Sequence, residues 1–186
     1  PVSGGLPGTI HRPQDGENFT LLLQAIRARL DEQGERDGKD YLLTVAGAAS
    51  EGYLRDIQPQ AVAEVVDHIF LMPWDCYADL NAPLYAPSER APQYQNSVAD
   101  SIQAYLDAGV PPEKLVLGMP LYGYLYQGVS GRNGGLYSTF TSAKSVSYDS
   151  LVRRYLSDSA YRQLRHQEAQ VPYLYGNGSF LSYEDP

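Results

Sequence analysis

The residues best suited to chemistry follow short apolar runs. Met72-Pro73-Trp74-Asp75-Cys76-Tyr77 puts a carboxylate, an indole and a phenol side by side, and Tyr122-Gly123-Tyr124-Leu125-Tyr126 adds three more phenols. An acid flanked by aromatics can hydrogen-bond the substituents of a sugar while the rings pack on its apolar face, which is the make-up of a glycan site. Asp75 is equally consistent with a residue that only caps a loop, and residue type does not choose between the two. Cys76 reads as a small buried filler rather than a nucleophile, because no nearby His is available to activate it. His68, at a strand start, reads as a packed or surface residue.

The elements that must position these side chains follow from periodicity. Phe19, Leu22, Leu23, Ile26 and Leu30 recur at helical spacing, with Asp15 as N-cap and Gly34 as terminator. Tyr41–Ala46 is a short continuous apolar run ending at Gly47, as expected of a strand buried on both faces. A short helix over Pro59–Val65 starts on a proline suited to a first turn. His68–Met72 is a second buried strand, closed by Pro73. A proline-rich loop from Asp79 to Gln95 leads to a helix with Val98, Ile102, Tyr105 and Leu106 on one face, ended by Gly109 and Pro111-Pro112, and Leu115–Pro120 is the third strand. Helices and strands thus alternate, the pattern of parallel strands joined by right-handed crossovers, although an open sheet satisfies it as well as a barrel does. The alternation breaks after Tyr126. A glycine-rich loop, a helix over Tyr148–Leu156, and two strand-like runs, 171–175 and 179–183, around Gly176-Asn177-Gly178 predict a small α+β insertion with a hairpin. In such frameworks working residues lie past the carboxyl ends of the strands.

Composition removes several alternatives. With 43% apolar and 19% charged residues the 186-residue chain can fold around a real core. A net charge of −8 repels phosphate backbones and anionic lipid, so neither nucleic acid nor membrane is expected as a partner. No run approaches the roughly 20 apolar residues of a membrane helix. The single Cys76 excludes an internal disulfide, and His11, His68 and His166 stand in no metal-ligand spacing, so no metal is expected. The 16 tyrosines are the unusual count. They suit packing against sugar rings, and equally tyrosine-rich hairpins and cores. Asn18-Phe19-Thr20 and Asn177-Gly178-Ser179 fit a glycosylation acceptor pattern too short to be specific.

Taken in order, Glu17–Leu23, Tyr41–Ala46, Leu71-Met72-Pro73-Trp74-Asp75, Asn81-Ala82-Pro83-Leu84-Tyr85, Lys114–Gly123 and Val171–Tyr175 through Ser182-Tyr183 resemble glycoside hydrolase family 18 chitinases along nearly the whole chain. The resemblance implies part of a (β/α)₈ TIM barrel, about strands five to seven, over residues 1–126, with the α+β insertion after strand seven over 127–186. It implies a secreted enzyme, without cofactor, that cuts β-1,4-N-acetylglucosamine linkages in chitin or chito-oligosaccharides. The family mechanism is retaining and substrate-assisted: a Glu protonates the glycosidic oxygen while the sugar's own acetamide carbonyl attacks the anomeric carbon.

By the same resemblance the proton-donor Glu is expected two positions before Pro1, so no catalytic residue is expected within the chain, and both termini are expected to be cuts. A piece lacking the remaining strands is expected to be unstable and inactive alone. Asp75 would hydrogen-bond the acetamide or its neighbours, Met72 would line the pocket, Tyr122 would border it, and Ala46 would pack beneath the acid. Two positions depart from the family pattern. Trp74 stands where the family usually has Tyr, and its indole can donate a hydrogen bond but not accept one; Tyr124 stands where many relatives have Arg. Two alternatives accompany the chitinase reading: a chitinase-like lectin that binds N-acetylglucosamine polymers without cutting them, and an enzyme for related linkages in peptidoglycan or glycoprotein glycans.

Overall fold

A computed structural model of the chain describes residues 2, 6–75, 80–89 and 97–185. Cys76, Tyr77 and parts of the proline-rich loop lie outside the described residues. The chain divides into two units, one of residues 1–72 and 101–118, the other of 73–100 and 119–186.

The first unit is built on three parallel strands in the order β1 (Thr44–Ala48), β2 (His68–Met72) and β3 (Leu115–Leu117). The helices are α1 (Asp15–Asp37), α2 (Glu51–Asp56), α3 (Pro59–Val65) and α4 (Val98–Asp107), the last divided between the units. Ile69 and Leu71 of β2, 2% and 1% exposed, pack with Leu23, Val62, Val66, Tyr105 and Val110 in one core. The alternate residues point the other way, as strand pleating requires: Phe70 and Met72 are 42% and 38% exposed, and Ala46, in register with Phe70, is exposed too.

Strand β3 stops at Leu117 rather than Pro120, and three further boundaries differ from the sequence expectation for a local reason. Asp15 is the first residue of α1 rather than its cap, which is Gln14, and the Asp15 carboxylate accepts from the Arg12 N–H. The helix runs past Gly34 to Gly38, which takes the left-handed conformation (φ 62°) of a helix end. Gly34 is needed because a side chain there would meet the Lys39 carbonyl. The first strand begins at Thr44 rather than Tyr41. The Asp67 carboxylate takes the Leu43 N–H at 2.7 Å and Arg27 takes the Tyr41 carbonyl at 2.8 Å, so side chains hold that approach instead of the ladder. Helix α2, not expected from sequence, is capped by Ser50, whose hydroxyl accepts from the Tyr53 N–H.

The second unit carries an antiparallel sheet of β4 (Tyr122–Gln127), β5 (Ser142–Ser147), β6 (Arg162–Arg165), β7 (Pro172–Gly176) and β8 (Ser179–Ser182) in the order β5-β4-β8-β7-β6. Residues 122–126, expected with the barrel portion, pair here with β5 and β8. The expected hairpin is β7–β8, turned by Asn177 (φ 49°) and Gly178 (φ 65°), two positive-φ positions as a type I′ turn needs. The expected helix is α5 (Tyr148–Leu151), which continues as a π-helical turn, Val152–Leu156. Leu125, Val146, Leu151, Leu174 and Leu181 form the core on one side of the sheet and Tyr126, Tyr173 and Phe180 belong to a second cluster.

Candidate active site

The site is assembled within the second unit from the segment after β2, the start of β4 and the end of β8. Pro73 has no N–H to continue a ladder, and two residues later Asp75 sits at φ 57°, a left-handed conformation that Asp tolerates better than most side chains. Its N–H points to the Oδ1 of Asn81, 3.4 Å away. Asn81 is 1% exposed, donates from its own N–H to Ser182 Oγ at 2.7 Å and from Nδ2 to the Tyr122 carbonyl at 3.2 Å. The next N–H, of Ala82, goes to Glu184 Oε1 at 3.0 Å. Burial is the main cause that pushes the Glu184 carboxyl up to about 8, with Asp185 adding to it, against the lowering effects of the Ala82 N–H and Arg165.

Opposite Asp75, the Tyr122 hydroxyl donates to Oδ1 at 2.8 Å. Strand alternation puts Tyr122, Tyr124 and Tyr126 on one side of β4; successive ring centroids are 5.8 and 6.2 Å apart, the first pair edge to face. Gly123, between the first two, is required because a side chain there would run into the Ser182 carbonyl of β8. Burial first, and then the hydrogen bond and charge of Asp75, hold the Tyr122 phenol well above its ordinary pKa and raise that of Tyr124 as well. Both remain neutral at physiological pH. The Asp75 carboxylate thus interacts with both the Tyr122 and Tyr124 phenols, and its remaining lone pairs can accept from a ligand's N–H or O–H groups. Asp75 itself is exposed, as a residue that meets ligand must be.

Of the residues singled out from sequence, the structure brings Asp75, Tyr122 and Tyr124 together. Trp74, half-buried, directly precedes Asp75. Met72 ends β2 in the first unit. Sequence reasoning gave no site role to Asn81, Ser182 or Glu184: each acts through a hydrogen bond to a residue 41 to 102 positions away, and no local pattern reports such a partner. Among the described residues no three His, Cys, Asp or Glu side chains gather as metal ligands, and no helix is long and apolar enough to cross a membrane.

Comparison with known proteins identifies the family of the chain. The family model described as glycosyl hydrolases family 18 matches residues 4–186. Chitinase A1 of Niallia circulans is 41% identical over the whole chain, which spans 30% of that protein. The structure of chitinase ChiA74 from Bacillus thuringiensis superposes on 99% of the chain with a TM-score of 0.93 at 32% identity, and the chain covers 34% of it. A family 18 N-acetylglucosaminidase from Paenibacillus barengoltzii superposes on 96% with a TM-score of 0.89 at 32% identity, the chain covering 54% of it. Matched by the family model over nearly all its length, the chain belongs to glycosyl hydrolase family 18.

Proposed function

We propose that the protein carrying this chain hydrolyses β-1,4-N-acetylglucosamine linkages in chitin with retention, and that this chain supplies the residues that receive the reacting sugar's acetamide. The observation that carries the reading is the Asp75–Tyr122 pair, a carboxylate and a neutral phenol joined at 2.8 Å beyond the end of β2. In substrate-assisted hydrolysis the acetamide carbonyl is the nucleophile, so the enzyme must orient the acetamide and leave the attacking oxygen free. Asp75 Oδ2 can accept the acetamide N–H, which turns the carbonyl toward the anomeric carbon and stabilises the positive charge that the cyclised intermediate acquires. Tyr122 holds Asp75 in that orientation and limits its rotation. The proton donor is the Glu expected just before Pro1. Trp74 presents an indole N–H, which can donate to a sugar oxygen and cannot accept. Tyr124 offers a phenol to the sugar.

The first unit fits the role of barrel strands five to seven, with the antiparallel unit as the insertion after strand seven. Its exposed Phe70 and Met72 are the kind of apolar surface that the remaining strands of a closed (β/α)₈ barrel cover. A secreted enzyme is in keeping with an extracellular polymer as substrate. Incubation of the full-length protein with chitin and with chito-oligosaccharides tests the activity. Release of shorter N-acetylglucosamine oligomers is expected; saturable binding without release would favour the lectin reading, and release only from peptidoglycan or glycoprotein glycans the third.

A further inference from the structure

Asn81 has a place in the site that its position in an irregular segment does not announce. Its side-chain amide faces two ways: Oδ1 takes the Asp75 N–H at 3.4 Å and Nδ2 donates to the Tyr122 carbonyl at 3.2 Å. One side chain therefore spans the backbones of the two residues whose own side chains meet at 2.8 Å. A side-chain amide donates and accepts without charge from two separate atoms, which lets one short side chain bridge two chain segments. Asn81 is in turn fixed from β8, through its N–H on Ser182 Oγ at 2.7 Å, and through Ala82 on Glu184 at 3.0 Å. At 1% exposure, water cannot readily replace a lost partner. The left-handed backbone at Asp75 is strained for a residue with a side chain and persists where surrounding contacts over-determine it.

From this geometry we infer that Asn81 is the positioning residue of the Asp75–Tyr122 pair, setting the direction from which the carboxylate meets the substrate acetamide. The inference rests on the glycosidase reading above for its consequence in catalysis, but not for its geometry. Asn81→Asp is nearly isosteric. A carboxylate there still accepts from the Asp75 N–H but sets an oxygen against the Tyr122 carbonyl, so one half of the bridge becomes repulsive. Asn81→Ala removes both halves.

The test uses the full-length protein with Asn81→Asp, Asn81→Ala, Tyr122→Phe and the Asn81→Asp/Tyr122→Phe double variant, and two readouts. The first is kcat and KM on a chromogenic chito-oligosaccharide. Because a misplacement of about 1 Å can cost on the order of 100-fold, Asn81→Asp is expected to lower kcat by about 30-fold while KM moves less than about threefold. Its effect should be strongly non-additive with Tyr122→Phe, since both act on one pair. The second readout needs no activity: in protein labelled with 3-fluorotyrosine, the ¹⁹F resonance of Tyr122, assigned by its loss in Tyr122→Phe, should move in Asn81→Asp. If Asn81→Ala does not fold, the aspartate variant carries the test. A kcat within about twofold of wild type together with an unmoved Tyr122 resonance overturns the inference and leaves the glycosidase reading standing. A wild-type protein that cuts nothing, with the resonance still displaced in Asn81→Asp, overturns the glycosidase reading and supports the positioning role.

Discussion

Both units have apolar cores, but strand β2 of the first and the segments around Asp75 in the second are fixed by different means. In the first, β2 is fixed by apolar contact: Ile69 and Leu71 are buried among Val62, Val66, Tyr105 and Val110, and polar bonds such as Lys114 to the Val66 carbonyl lie at the margins of that core. In the second, the segments around Asp75 are fixed by buried polar groups, Asn81 and Ser182 each at 1% exposure, with Glu184 beside them. Apolar packing is non-directional and tolerant of small displacements, whereas a hydrogen-bonded ladder sets direction as well as distance. A scaffold strand can rely on the first kind of order; the proposed role of Asp75, meeting a substrate in one orientation, needs the second.

The largest effect that separates the two is in the first core. Leu71→Ala should lower unfolding stability by about 2–5 kcal/mol, as buried leucine deletions do, and shift the melting temperature while leaving kcat of the folded fraction unchanged. A loss of kcat per folded molecule would mean that the first unit does more than support. Next comes Asp75→Asn in the second unit, which keeps the shape and removes the charge. Loss of a group aimed at developing charge costs about 100- to 1,000-fold in kcat, so a drop of that order is expected with a melting temperature within about two degrees of wild type. A large loss of stability with little change in kcat would invert the comparison.

Glu184 gives the effect with the most diagnostic sign. Its folded pKa is raised from 4.5 to about 8, so the stability it contributes is fully present below 4.5 and is lost as pH rises through about 8. Glu184→Gln, which retains an acceptor for the Ala82 N–H, should flatten this part of the stability profile and leave the variant more stable than wild type near pH 8. Thermal melts of both proteins from pH 4.5 to 8.5 check it; parallel profiles would contradict it.

Legibility from sequence followed the same division. Strand β2 was expected at His68–Met72 and is found there, because a continuous apolar run closed by proline leaves few alternatives. The helix ended by Gly109 and the hairpin at Asn177-Gly178 were equally readable, since both glycines stand at positive φ where their type is needed. Gly34 misled because a glycine can mark a helix end or a close approach; here Lys39 crosses it and Gly38 ends the helix. The alternating tyrosines 122, 124 and 126 carried the period of a strand, which the expectation of a post-strand loop concealed. Asp75, Tyr122 and Tyr124 were legible as chemistry-bearing types at the right place in the alternation, but the link between Asp75 and Tyr122 was not. Asn81 and Ser182, 101 positions apart, form a bond that neither neighbourhood announces.

If this chain positions an acetamide for attack on its own anomeric carbon, the anomeric form of the first product records it. The measurement that meets it most directly is ¹H NMR of the first product formed from a chito-oligosaccharide by the full-length protein, compared with Asp75→Asn. A product released as the β-anomer is expected, at a rate about 100-fold lower or more in the variant. First-formed α-anomer, or equal rates for the two proteins, would contradict it.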